Sequence, residues 1–195
     1  MKRRNFLRDS GMCAATLAFL NSKEVIAQDD PPEVIRLKAQ KNYFINRHVV
    51  MFDILSEKLD RETFKQVYQE FGTECAINYG AVDRAEEYKG YLERYLNEIS
   101  SIDKWQERAW YDEDTKTVTI IGIKRDECVC SMARSSANPN WCNFCCAGHQ
   151  KAIFEKILGK EVEVTMGETR LSGGERCNHF IKILDNNIRE AEVTI

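Results

Sequence analysis

Apolar residues recur at helical spacing through the first half of the chain and at strand spacing through much of the second. After Asp29-Asp30-Pro31-Pro32, a short linker whose prolines can open a helix, the segment from Pro31 to Leu59 reads helical. Its expected apolar side is Val34, Leu37, Tyr43, Phe44, Val50, Met51, Ile54 and Leu55. Asp60 is a natural cap for a second helix, in which Phe64, Val67, Tyr68 and Phe71 fall at i, i+3, i+4 and i+7. Gly72 is the expected stop of that helix, with Cys75 in the connection to Gly80. A third helix, from Val82 to Ile99, aligns Ala85, Tyr88, Leu92, Tyr95, Leu96 and Ile99.

The pattern then changes. Trp105 to Tyr111 and Thr117 to Ile123 are rich in aromatic and β-branched residues, and Asp112 to Lys116 between them suits a hairpin loop. Turn residues at Ser135 to Asn140 precede a helix expected from Trp141 to Leu158, stopped by Gly159. Glu161 to Thr165 alternates as a strand, Leu171 to Arg176 turns, and Cys177 to Leu184 returns. The order implies an α+β fold: N-terminal helices, then an antiparallel sheet of two hairpins with a cysteine-bearing helix between them.

Composition adds a compartment. The 195 residues, 43% hydrophobic and 30% charged, suffice for one ordinary domain, expected to span 28–195 as a helical segment 28–103 and an α+β segment 104–195. Residues 1–27 read as a signal peptide: a basic cluster, a short apolar run from Gly11 to Leu20, and Val25-Ile26-Ala27 suited to signal peptidase. Arg3-Arg4-Asn5-Phe6-Leu7-Arg8 resembles the twin-arginine export motif, so the expected location is periplasmic or otherwise extracytoplasmic. Cleavage removes five basic and two acidic side chains and Cys13, taking the formal net charge from -3 to -6 and leaving seven of the eight cysteines. Such an acidic chain has no electrostatic footprint for nucleic acid, and no other segment is long and apolar enough to insert stably in a membrane. Small organic molecules, metals and proteins remain as partners.

The chemistry concentrates between Cys128 and Cys146, where nineteen residues hold five of the eight cysteines. At helical spacing Cys142, Cys145, Cys146 and His149 share one stripe, while Cys128 and Cys130 precede that helix and Cys177 opens the last strand. These seven residues are the candidate metal ligands, for zinc or, with four thiolates, an iron–sulfur cluster. Two other readings stay open. Ile153 and Ile157 continue the stripe, which is therefore also a core face, and an oxidising compartment favours disulfides such as Cys130 with Cys142. If the protein is an enzyme, Cys145, Cys146, His149 and His179 are the candidate catalytic residues, thiolate or metal-bound water attacking with a histidine as base.

Residues 142–183, CNFCCAGHQKAIFEKILGKEVEVTMGETRLSGGERCNHFIKI, resemble the C-terminal half of the 4-vinyl reductase (V4R) superfamily. The shared pattern is a cysteine at a helix start, a glycine within that helix, a strand, a Gly-rich turn, and a cysteine before a Phe-containing strand. A similar hairpin occurs in aminothiazoline-carboxylate hydrolase-like proteins, and the whole chain is similar to an uncharacterised bacterial cysteine-rich family related to both. The resemblance implies a small-molecule binding or sensing module with a zinc ion, or a hydrolase acting on a small cyclic or thioester-like substrate. A third role, a disulfide-braced interaction domain, follows if the thiols are oxidised. By position Cys142 and Cys177 match the family's first and last zinc ligands. Met166 and Thr169 stand where its Glu-x-x-Cys would be, with Glu168 close by.

Overall fold

The computed structural model describes residues 30–101, 106–136 and 138–187; the expected signal peptide lies outside them. They fall into two compact units. One comprises residues 30–58 with 129–136, the other 59–101, 106–128 and 138–187.

The first unit consists of α1, Pro32–Lys58, and the short α5, Ser131–Arg134, headed by Cys130. Helix α1 forms where the sequence places it, but the buried line along it is Ile45, Val49 and Phe52. Of the expected apolar side, Leu37, Tyr43, Phe44, Val50, Met51 and Ile54 are exposed and Val34 and Leu55 are half-buried. Apolar residues occupy more than half of this helix's circumference, so periodicity alone does not single out one face.

The second unit carries helices α2, Arg61–Asn78, α3, Ala81–Glu86, and α4, Leu92–Ser101. Asp60 caps α2 as expected, its carboxylate accepting the amides of Glu62 at 3.1 Å and Thr63 at 3.0 Å. The expected third helix is two. Gly90, at φ 79°, takes the left-handed conformation and donates its N–H to Ile157 O at 2.8 Å, which breaks the helix while keeping Ala85, Tyr88, Tyr95, Leu96 and Ile99 buried.

Helix α2 does not stop at Gly72 but runs six residues past it, so Cys75 is helical. The glycine serves a crossing. Opposite it runs a helix that begins as a π turn, Cys142–Cys146, and continues as α6, Ala147–Leu158. A Cβ on Gly72 would lie 2.8 Å from His149 N and 2.9 Å from Cys145 C, and closer still to Cys145 O. Reciprocally, a Cβ on Gly148 would lie 2.7 Å from Gln69 Cα. Two glycines thus let two backbones meet. Around the crossing, aromatic side chains wedge the π turn: Trp141 and Tyr68 at 5.9 Å between centroids, Phe144 and Phe64 at 5.7 Å.

The sheet has strands β1, Gln106–Asp112, β2, Thr117–Gly122, β3, Lys160–Met166, and β4, Asn178–Asn187. All pairs are antiparallel, in the order β1-β2-β4-β3, so the two hairpins join through β2 and β4 and the α+β arrangement holds. Asp112 closes the first hairpin by accepting the amides of Asp114 and Thr115. Val118, Ile120, Val162, Val164 and Ile181 line the inner face and pack with Ile153, Phe154 and Ile157 of α6 and Tyr95, Leu96 and Ile99 of α4. No helix among the described residues is long and apolar enough to cross a membrane.

Candidate functional site

At one end of the sheet the inner face changes from aliphatic to thiol and imidazole. Cross-strand pairing sets His179 between Ile120 on β2 and Met166 on β3, one row beyond Val118, Ile181 and Val164. Cys177 precedes β4, and its carbonyl accepts Gly122 N–H at 3.0 Å. A Cβ on Gly122 would collide with that carbonyl, so glycine is required at the end of β2. Beyond Gly122 the chain keeps beside the second hairpin: Arg125 N–H reaches Glu175 O at 3.1 Å, and the Arg170 guanidinium bonds Asp126 O at 2.6 Å and also Gly174 O. This route delivers Cys128 to the site. Thr169 and Ser172 cap each other's amides around the intervening turn, with Gly173 at φ 86°.

From the helix side come Cys142, Cys146 and His149. The Cys142 thiol is in hydrogen-bonding contact with both Cys128 and Cys146 and within electrostatic reach of Cys177. Cys177 in turn feels Cys128, and its sulfur accepts the backbone N–H of Arg170. His179 lies close enough to His149 to feel its charge. Four thiols therefore meet from three chain passages, and a pair of imidazoles stands on two of the same passages, all in one unit.

Placement of the other candidates differs. Cys145 is buried, with its carbonyl against Gly72. The wider π turn changes the angular step between side chains, so 142, 145, 146 and 149 do not form the single α-helical stripe that the spacing suggests. Cys130 belongs to the other unit, at the head of α5. Of the residues at the family's middle ligand positions, Met166 is partly buried beside His179, and Thr169 is buried within the turn it caps. Glu168 holds the Glu175 amide while its charge reaches Cys177. Sequence reasoning passed over Arg170 and Gly122, which position Cys128 and Cys177; the Thr169-x-x-Ser172 capping pattern was the signal available for this turn.

The electrostatics favour the neutral forms of Cys142, Cys177 and the two imidazoles. Contact with Cys128 lowers the Cys142 thiol's pKa, but the bond to Cys146, burial, and the charges of Cys146 and Cys177 raise it more, leaving it far above the ordinary thiol range. Burial raises Cys177 as well; Cys128 and Glu168 add to this, and Arg170 opposes it through its amide and its charge. Burial, then His149, push His179 down to about 4, and burial lowers His149. Both histidines are neutral at pH 7. His179 is only 7% exposed, and its Nδ1 meets no hydrogen-bond partner among the described residues.

Thiols, imidazoles and an orphaned ring nitrogen are the donors zinc selects. Their arrangement falls short of a ligand shell: no three His, Cys, Asp or Glu among the described residues are set to hold a metal ion together. The seven cysteines among those residues are not joined in disulfides.

No family model matches the chain, and no curated protein matches it. Among solved structures, it is similar to trafficking protein particle complex subunit 3 from Naegleria fowleri, a protein covalently bound to palmitic acid in that structure. The similarity covers 75% of this chain and 99% of that one, at 10% identity and a TM-score of 0.45. A vinyl-4-reductase family protein from Methanocaldococcus jannaschii is similar over 87% of this chain and 92% of its own, at 14% identity and a TM-score of 0.34.

Proposed function

We propose that the protein is an exported V4R-like binding module that takes up zinc at the thiol-imidazole end of its sheet and binds or senses a small organic molecule. The observation that carries this reading is the convergence of the Cys128, Cys142, Cys146 and Cys177 thiols, with the His149–His179 pair on the same helix and strand. Cys128 arrives on a loop, so closing a ligand shell requires loop and side-chain movement rather than unfolding of the sheet. Zinc supplies the charge that makes deprotonated thiolates stable in a buried site.

Binding is favoured over catalysis by the protonation states. A thiol nucleophile needs a nearby base of matched strength, whereas both candidate bases are weakened, His149 by burial and His179 by burial and then by His149, down to about 4. The hydrolase reading therefore ranks second. The chain, purified with zinc present, is to be tested by elemental analysis and by thermal shift against small aromatic and heterocyclic acids. Stoichiometric zinc with a ligand-dependent shift supports a binding module; turnover of a thiazoline-type acid that disappears in Cys146→Ser while zinc is retained replaces it with the hydrolase.

A further inference from the structure

We infer that Cys128 and Cys142 are an oxidisable dithiol, the one pair in the cluster built to close a disulfide. Cys142 touches two thiols, Cys128 and Cys146. The Cys142-Cys146 pair is ruled out by geometry. They stand one helical turn apart along the same backbone, where Cβ atoms lie farther apart than the about 3.5–4.5 Å a disulfide needs, and the backbone of the π turn, packed under Trp141, Phe144 and the Gly72 crossing, is not placed to give way. Cys177 is held from both sides, its sulfur by the Arg170 amide and its carbonyl by Gly122. Cys128 sits on a segment without helix or strand, between Gly122 and Ser131, and outside the two-sided hold that fixes Cys177, so it can shift to meet Cys142.

The position gives the bridge a structural meaning. The chain leaves the sheet unit after Cys128 and rejoins it at Asn138, four residues before Cys142. A bond between the two sulfurs ties off the neck of that excursion.

In the reaction each thiol loses its proton and a sulfur–sulfur bond forms. The two electrons reduce a disulfide oxidant, either a small disulfide or a protein disulfide of an oxidising compartment, to two thiols through a mixed disulfide. Both sulfurs are buried, Cys142 at 1% and Cys128 at 7% exposure, so exchange waits on opening of the loop.

The dithiol shares thiols with the proposed zinc site but does not depend on zinc, and the test uses metal-free protein. The full chain, stripped with a chelator, is equilibrated with oxidised glutathione, alkylated and digested with trypsin. The expected product is a cross-link between the peptides Asp126–Arg134 and Ser135–Lys151, with loss of two hydrogens and Cys177 still alkylated. It persists in the Cys130→Ser/Cys145→Ser/Cys146→Ser variant and is lost in Cys128→Ser and in Cys142→Ser. Absence of the cross-link from both the parent chain and the triple variant overturns the inference, as does a cross-link that survives in Cys128→Ser or uses Cys177. A chain that fails to hold zinc yet forms this bridge refutes the zinc proposal alone.

Discussion

Replacing Gly72 by alanine sets two expectations of opposite sign against each other. In an unhindered helix interior the change stabilises by about 1 kcal/mol, because alanine loses less backbone entropy. Here the new methyl group would fall within 3.0 Å of three backbone atoms of the facing helix, the carbonyl carbon and oxygen of Cys145 and the amide nitrogen of His149. Carbon atoms pack best at about 3.5–4.0 Å, so the helices must separate by at least half an ångström at their closest point. The obstacle is main chain on both sides, and no side chain can rotate out of the way. Overpacking of this kind costs about 1–3 kcal/mol; with backbone as the obstacle the upper end applies, and after subtracting the propensity gain the net loss is about 2 kcal/mol. For a domain of this size that lowers Tm by about 4–8 °C. Urea titration followed by circular dichroism reads the same loss as a lower midpoint with an unchanged slope. Gly148→Ala, facing Gln69 across the same crossing, behaves alike. A Gly72→Ala chain as stable as the parent, or more stable, refutes the crossing.

Three further outcomes follow from the packing and the charges. Phe154→Ala removes a fully buried ring at 5.7 Å from Tyr95 and costs about 3–5 kcal/mol in urea unfolding; a loss below 1 kcal/mol contradicts the placement of the core. Acidification destabilises through His179: its folded pKa, about 4, lies below the unfolded value of 6.5, so the contribution is complete above pH 6.5 and is lost as pH falls toward 4. The difference amounts to about 3 kcal/mol, with His149 shifting in the same direction, and urea titrations between pH 4 and 7 that show no such slope contradict a buried neutral His179. Closing the Cys128-Cys142 bridge, a loop of fifteen residues, stabilises the chain by about 3 kcal/mol, measured by denaturation before and after oxidation; destabilisation on bridging means that the loop must strain to close.

Much of the architecture was legible because local chemistry and packing agree. Asp60, Asp112, Gly159 and the alternation of residues 161–165 each perform in the fold the role their residue type announces. The failures share one cause, a residue whose local meaning is overruled by a distant partner. Gly72 reads as a stop, yet it accepts another helix's backbone. The 141–158 segment reads as uniform α-helix, yet its first turn is widened where Trp141 and Phe144 pack under α2, and this breaks the even stripe of thiols. Helix α1 buries Ile45, Val49 and Phe52 rather than its more conspicuous apolar side, because two faces compete on it. For the candidate site, cysteine density drew attention to residues 128–146, and period-two alternation set Cys177 and His179 toward one sheet face. What spacing could not supply was the path of residues 122–128 beside the second hairpin, which depends on the non-local bonds of Gly122, Arg125 and Arg170.

Zinc content of the purified chain, with a thiol count on the same sample, bears most directly on the proposed site. The account predicts about one zinc per chain, with the cluster thiols shielded from alkylation until the metal is removed, and loss of the metal in Cys142→Ser and Cys177→Ser. A chain that takes up no zinc when reduced and saturated with the ion, or that keeps it when both cysteines are replaced, contradicts the account.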